Sequence, residues 1–211
     1  MGNSAFDWEN YWSTTDEPEG ATKFALDMAK RFEPLIREEN VGTFADVGCG
    51  PATMLFVLAK MFPDIEFTGY DIAPSLVANN NNTAREKGIS NIKFETAILP
   101  DVQLGMKYDL VSCVSVLHYI LDIETAIQKL YEHVKPGGYL IFNYPNRYTM
   151  WAQRKYIEPS DAEMQERFKI ILAGQNLITQ RDIKKITKTT PKKFYASKRH
   201  NIYIKLKKPH S

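Results

Sequence analysis

The chain is predicted to form an α/β domain with helices on both faces of a largely parallel sheet, and three observations predict it. Short apolar runs alternate with longer stretches of helical periodicity, which is the pattern of successive βαβ units. The first run, Thr43 to Val47, leads through a glycine-rich bend, Gly48-Cys49-Gly50, into a helical stretch from Thr53 to Phe62. At 211 residues the chain has room for one full core and none for a second substrate domain.

The elements follow in order. Residues 1–20 hold Phe6, Trp8, Tyr11 and Trp12 among acids and small polar residues, a density of aromatics foreign to a disordered tail. They are expected to fold over something, either a ligand site or the apolar face of the next helix. Residues 21–211 then form the single main domain. Ala21, Phe24, Met28, Phe32 and Leu35 recur at three and four spacing, giving an amphipathic helix from about Pro18 that Pro34 should kink or end. Pro63 stops the helix after the bend, and Ile65 to Tyr70 is the second strand. Pro74 opens a helix that Gly88 closes; its Asn79-Asn80-Asn81-Asn82 run is expected to fray, with no special chemistry. Ile92 to Thr96 and Tyr108 to Cys113 are strands three and four. Ile123 to His133 is helical, and Lys135-Pro136-Gly137-Gly138 turns into the fifth strand, Tyr139 to Asn143. Ser160 to Ala173 and Thr179 to Thr187 are read as helices. Phe194 to Ser197 and Ile202 to Leu206 form a closing antiparallel pair around a turn at Lys198 to Asn201.

The bend carries the chemistry. Glycine permits backbone torsions and close approach that a side chain would block, and the helix start beyond it offers unpaired N–H groups, so a ligand is expected there. A dinucleotide fingerprint would place Gly or Ala where Thr53 stands and would bring a pyrophosphate to the bend. Asp46, two residues before Gly48, repels that group and suits a cation. The run Asp46-Val47-Gly48-Cys49-Gly50-Pro51-Ala52 resembles the first motif of class I S-adenosylmethionine-dependent methyltransferases, with Ala52 in place of the usual third glycine. Lys135-Pro136-Gly137-Gly138 resembles a second hallmark of that family, and the final hairpin a third.

The resemblance covers roughly residues 20–208 and implies a Rossmann-like, seven-stranded mixed sheet ordered 3-2-1-4-5-7-6. It implies S-adenosyl-L-methionine as cofactor and S-adenosyl-L-homocysteine as product. Gly48, Cys49 and Gly50 would face the methionine part and Asp46 its amino group. Asp71 would take both ribose hydroxyls, and Ile72 would pack on the adenine. The family's acidic residue after strand three is absent from Thr96-Ala97-Ile98-Leu99-Pro100, which leaves adenine contact to Ala97 and Ile98. Cys113 falls in a cofactor-site position at the end of strand four. Tyr11 and Trp12 are lid candidates, Tyr11 over the cofactor and Trp12 over the acceptor. The acceptor pocket would draw on Trp12, His118, Asn143, Tyr144 and Tyr148, the last three following strand five at its ligand-binding end. Leu117-His118-Tyr119 resembles the Leu-His-His of small-molecule members. His118 is either a general base or structural, since methyl transfer needs chiefly alignment.

Composition narrows the rest. No apolar run approaches the length of a membrane helix, and the N-terminus lacks a secretory pattern. Met1-Gly2-Asn3-Ser4 departs from the myristoylation motif at Phe6. Cys49 and Cys113 make no disulfide framework, which fits a cytoplasmic protein. His118, His133, His200 and His210 form no metal-ligand cluster in sequence. From Thr179 onward 11 Lys and Arg face only Asp182, while the rest carries 16 basic and 24 acidic residues. That basic end is either a solvated edge or a surface for an anionic partner. A small-molecule acceptor, methylated on O, N or S by a monomer or homodimer, is expected. An RNA or protein methyltransferase and a non-catalytic cofactor-binding module are the alternatives. A base-methylating enzyme would want Pro-Pro or Pro-Cys after strand four, where Cys113-Val114-Ser115-Val116 stands. A dehydrogenase is opposed by Asp46 and Thr53, and Tyr131 to Lys135 matches Tyr-x-x-x-Lys only by chance.

Overall fold

A computed structural model describes residues 6–14, 19–196 and 201–210. Ser197 to His200, in the expected final turn, and the expected helix start near Pro18 lie outside the described residues, as does Met1 to Ser4. The elements are α1 (Trp8–Thr14), α2 (Glu19–Glu38), β1 (Thr43–Val47), α3 (Thr53–Met61), β2 (Glu66–Asp71), α4 (Pro74–Glu86), β3 (Ile92–Thr96) and β4 (Tyr108–Cys113). A 3₁₀ turn (Leu117–Tyr119) follows, then α5 (Ile123–Glu132), β5 (Val134–Asn143), α6 (Arg147–Tyr156), α7 (Ala162–Arg167), α8 (Lys169–Leu172), α9 (Gln180–Thr187), β6 (Lys192–Ala196) and β7 (Ile202–Lys207).

The seven strands form one sheet in the order β3-β2-β1-β4-β5-β7-β6, as the resemblance implies. β1 to β5 run parallel, and β7 lies antiparallel between β5 and β6. Successive β1 side chains point to opposite faces, so Phe44 joins Phe32, Leu55, Leu58 and Phe67 under α2 and α3. Ala45 and Val47 join Val111, Leu130, Leu140 and Ile183 under α5 and α9. Burying both faces accounts for the nearly unbroken apolar character of β1, β4 and β5. Strand order reverses between β1 and β4, and their C-terminal ends open the crevice that ligands occupy in such sheets. At the opposite end Asp109 Oδ2 accepts hydrogen bonds from the backbone N–H of Gly42 and Thr43, at 3.1 and 2.8 Å, and from Lys135 Nζ at 3.1 Å. These bonds tie β1, β4 and β5 together there.

The elements differ from expectation in two places, and the segment after β5 adds a helix. Pro34 does not end α2: the helix runs on to Glu38 because Leu35 and Ile36 are buried beneath it, and that packing outweighs the missing N–H. The stretch 160–173 is two short helices that meet at Phe168, with Ile170 and Ile171 buried from the second. The segment after β5 is a helix, α6, started by Asn146, whose Oδ1 accepts from the N–H of Tyr148 and Thr149 at 2.9 and 3.1 Å.

Candidate active site

The bend after β1 is held in place by four hydrogen bonds. Gly48 and Cys49 donate their N–H groups to Tyr70 O at 2.7 and 3.0 Å. Gly50 N donates to Asp71 Oδ2 at 2.9 Å, and Asn80 Nδ2 donates to Gly50 O at 2.8 Å. Gly48 has φ +76°, and a Cβ there would overlap Val116; the position admits glycine alone. Ala52, the departure from the usual third glycine, has φ 59°, the same left-handed region. It caps α3 without a side-chain hydrogen bond.

Two carboxylates flank the bend. Asp46 is buried, and Ser112 Oγ donates to its Oδ1 at 2.5 Å. Burial pushes its pKa up to about 7; the Ser112 hydrogen bond opposes that rise and the charge of Asp71 adds to it. Asp71 Oδ1 accepts from Ala73 N at 3.2 Å. Its pKa is also raised by burial, against the hydrogen bonds from Gly50, Ala73 and Ile72.

Above the bend lies a cavity of about 570 Å³, within the range of small-ligand sites. α1 roofs it: Glu9 accepts from Ser75 N at the start of α4 at 3.2 Å, Trp8 meets Tyr119 edge-on at 4.8 Å, and Trp12 sits over Gly50. Of the expected cofactor residues, Tyr11, Asp46, Gly48, Cys49, Gly50, Asp71, Ile72, Ala97 and Ile98 all line this cavity, as does Trp12.

Five expected residues do not. Cys113 is wholly buried in the core under α5, because its position on β4 faces into the sheet's second layer. His118 is buried by the 3₁₀ turn, its Nε2 has no partner, and burial alone lowers its pKa to about 4. A base that lies off the cavity and binds protons this weakly is unsuited to general base catalysis near neutral pH. Asn143 is buried and its Oδ1 accepts from Ser115 N at 2.6 Å, so it shapes the loop after β4 from below. Tyr144 is buried in the core under α5 and α9. Tyr148 stands 64% exposed on α6, edge-on to Trp151.

Four contributors went unread in the sequence. Asn80 braces the bend from an Asn run that was expected only to fray. Asn176 is buried and its Nδ2 donates to Leu117 O, His118 O and Ile120 O at 3.0, 3.1 and 2.9 Å, clamping the turn that hides His118. Arg167 and Phe168, at the break between α7 and α8, close the side of the cavity beyond Tyr11. Asp46, Asp71 and Arg167 are the only Asp, Glu, Lys, Arg or His side chains among the described lining residues. No group of three His, Cys, Asp or Glu among the described residues could hold a metal ion.

Comparison with known proteins finds a partial match to one family. Residues 45–140 match the model of a methyltransferase domain. The chain is 31% identical over 98 residues to a malonyl-[acyl-carrier protein] O-methyltransferase of Acetivibrio thermocellus, a match covering 46% of this chain and 34% of that one. It is 29% identical over 127 residues to a trans-aconitate 2-methyltransferase of Deinococcus radiodurans, covering 60% and 46%. The chain therefore spans less than half the length of these curated relatives. Its fold resembles the crystal structure of an S-adenosylmethionine-dependent methyltransferase from Clostridium acetobutylicum, with TM-score 0.66, 14% identity and coverage of 93% and 94%.

Proposed function

Because residues 45–140 match a methyltransferase domain and the sheet has the strand order expected of the class I S-adenosylmethionine-dependent fold, we propose that the chain is an enzyme that methylates an O, N or S atom of a small acceptor. The observation that carries this reading is the pair of buried carboxylates on either side of a glycine bend, at one end of a roofed cavity. Asp46 is the sharper of the two. A buried acid with one hydroxyl partner and a raised pKa is short of a cation, and an ammonium arriving there would restore its ionised form. The residues thus fit S-adenosyl-L-methionine, with Asp46 toward the amino group and Gly48 to Gly50 along the methionine part. Asp71 has lone pairs left for ribose hydroxyls, and Ile72, Ala97 and Ile98 provide the adenine wall.

When bound, the cofactor supplies an electrophilic methyl on a sulfonium. The chain's own work is to orient and to exclude water. Trp8, Tyr11 and Trp12 of α1 act as the lid expected of residues 1–20, closing on the main domain 21–211. Val114, Ser115 and Val116, held by Asn143 from beneath, form the wall beside the bend. No histidine or lysine lines the described cavity, so alignment rather than proton abstraction carries the rate. Cys49 is a free thiol beside the bend, which suits a reducing cytoplasm. No helix among the described residues is long and apolar enough to cross a membrane.

Titration calorimetry with S-adenosyl-L-homocysteine tests the reading. We expect 1:1 binding, weakened on the order of tenfold or more by Asp71→Asn, since a lost hydrogen bond to a charged group is worth about 1.5–3 kcal/mol. Near pH 7, binding should release protons as Asp46 ionises, visible as a heat that changes between buffers of different ionisation enthalpy. Absence of binding to the wild-type chain would overturn the assignment.

A further inference from the structure

Arg167 is the one Lys, Arg or His side chain among the described residues that line the cavity. It ends α7 and brings its side chain to the cavity with only 16% exposed to solvent. A guanidinium has five N–H donors and accepts nothing, yet its partners here are poor. Nη2 points at the thioether Sδ of Met164, at 2.7 Å. Nη1 lies 3.8 Å from Oε1 of Glu163, whose side chain is 62% exposed. Nε is buried with no acceptor among the described residues. The rings of Tyr11 and Phe168 lie 5.1 and 5.3 Å from the guanidinium carbon and hold the cation in place. Cation–π contacts of this kind are worth about 0.5–2 kcal/mol, short of the several kcal/mol that withdrawing an ion from water costs.

The rest of this wall, Tyr119, Ile120, Phe168 and Tyr11, is flat and largely apolar. Asp46 and Asp71 stand apart from it, at the glycine bend. The cavity therefore asks for positive charge at the bend and for negative charge beside Arg167. We propose that Arg167 selects the methyl acceptor, and that the acceptor carries a carboxylate on an apolar or aromatic body. A carboxylate matches the guanidinium fork with two parallel hydrogen bonds and would satisfy Nε. The proposal rests on the methyltransferase reading and adds the chemical class of its second substrate.

The test uses the full chain saturated with S-adenosyl-L-homocysteine. Three acids, phenylacetate, indole-3-acetate and trans-cinnamate, are titrated alongside their carboxamides and followed by ligand-observed NMR. We expect at least one acid to bind tenfold or more tightly than its amide. Arg167→Gln should abolish that preference and Arg167→Lys should keep part of it, with S-adenosyl-L-homocysteine affinity changed less than twofold in both. Equal binding of acids and amides, or of neither, would overturn the proposal. So would an Arg167→Gln variant that loses the nucleoside as strongly as the acids, since the guanidinium would then be holding the cofactor's own carboxylate. Arg167→Lys covers the case in which the glutamine variant fails to fold. If the wild-type chain takes up no S-adenosyl-L-homocysteine, the methyltransferase reading falls instead, a separate result.

Discussion

The two ends of the cavity are built by different means. At the glycine bend, backbone does most of the work: Tyr70 O, Gly50 N and Ala73 N fix the loop and the Asp71 carboxylate, and the acids sit on strand ends that the sheet holds rigid. At the Arg167 end, side chains from α1, the 3₁₀ turn and the α7–α8 break meet with no backbone hydrogen bond between these elements among the described residues. On the proposed function, the first end is shaped for one cofactor and the second for the acceptor. A rigid scaffold carrying variable loops divides common from particular chemistry in this way.

Breaking the bend should give the largest effect. Gly48→Ala places a methyl against Val116 and asks alanine to hold φ +76°, so we expect S-adenosyl-L-homocysteine affinity to fall on the order of 100-fold, about 3 kcal/mol, by calorimetry. The acid-to-amide preference at Arg167 belongs to the other end and serves as the control.

The two ends also differ in sign with pH. His118, beneath the acceptor wall, has a folded pKa lowered to about 4 from 6.5. Its contribution is fully present above 6.5 and is lost as the unfolded chain takes up a proton below that, about 2 kcal/mol by pH 5. Asp46 has a folded pKa raised to about 7 from 3.8. The ligand-free protein therefore gains stability from it as pH falls from 7, again about 2 kcal/mol by pH 5. The two cancel in the wild type. His118→Leu should leave a protein more stable at pH 5 than at pH 7, and Asp46→Asn one that is less stable at pH 5, both read by urea unfolding. Methyl transfer by His118→Leu should stay within a few fold of wild type at pH 7.5; a loss of 100-fold or more would restore the histidine as a base.

The smallest change sharpens the bend. Asn80→Ala removes the hydrogen bond to Gly50 O, and we expect about 1–2 kcal/mol of lost stability with a several-fold weaker S-adenosyl-L-homocysteine complex. Asn82→Ala on the same helix, exposed at the end of the run, should change neither.

The same division decided what the sequence revealed. Asp46, the glycines and Asp71 are legible because strand, bend and strand end are consecutive along the chain. Their local spacing is their geometry. Asn80 was misread because its value lies in a partner 30 residues away, where propensity says nothing. Tyr144 and Tyr148 were assigned from the rule that ligands gather after a strand, but α6 turns one outward and the core takes the other. His118 does follow β4 at the switch point, yet Asn176, nearly 60 residues later, folds the turn that hides it. Arg167 stands at the break between two short irregular helices, and no periodicity marks such a place. The fold was legible because alternation and burial repeat; the acceptor wall was not, because it is assembled from single residues.

The roof helix has one practical consequence. The chain contains three tryptophans. Trp8 and Trp12 stand in the cavity wall while Trp151 is 61% exposed on α6. Excited at the indole band, the molecule therefore carries its own optical gauge: iodide quenches the exposed Trp151 more strongly than the half-buried Trp8 and Trp12, whose emission reports on what enters beneath the roof.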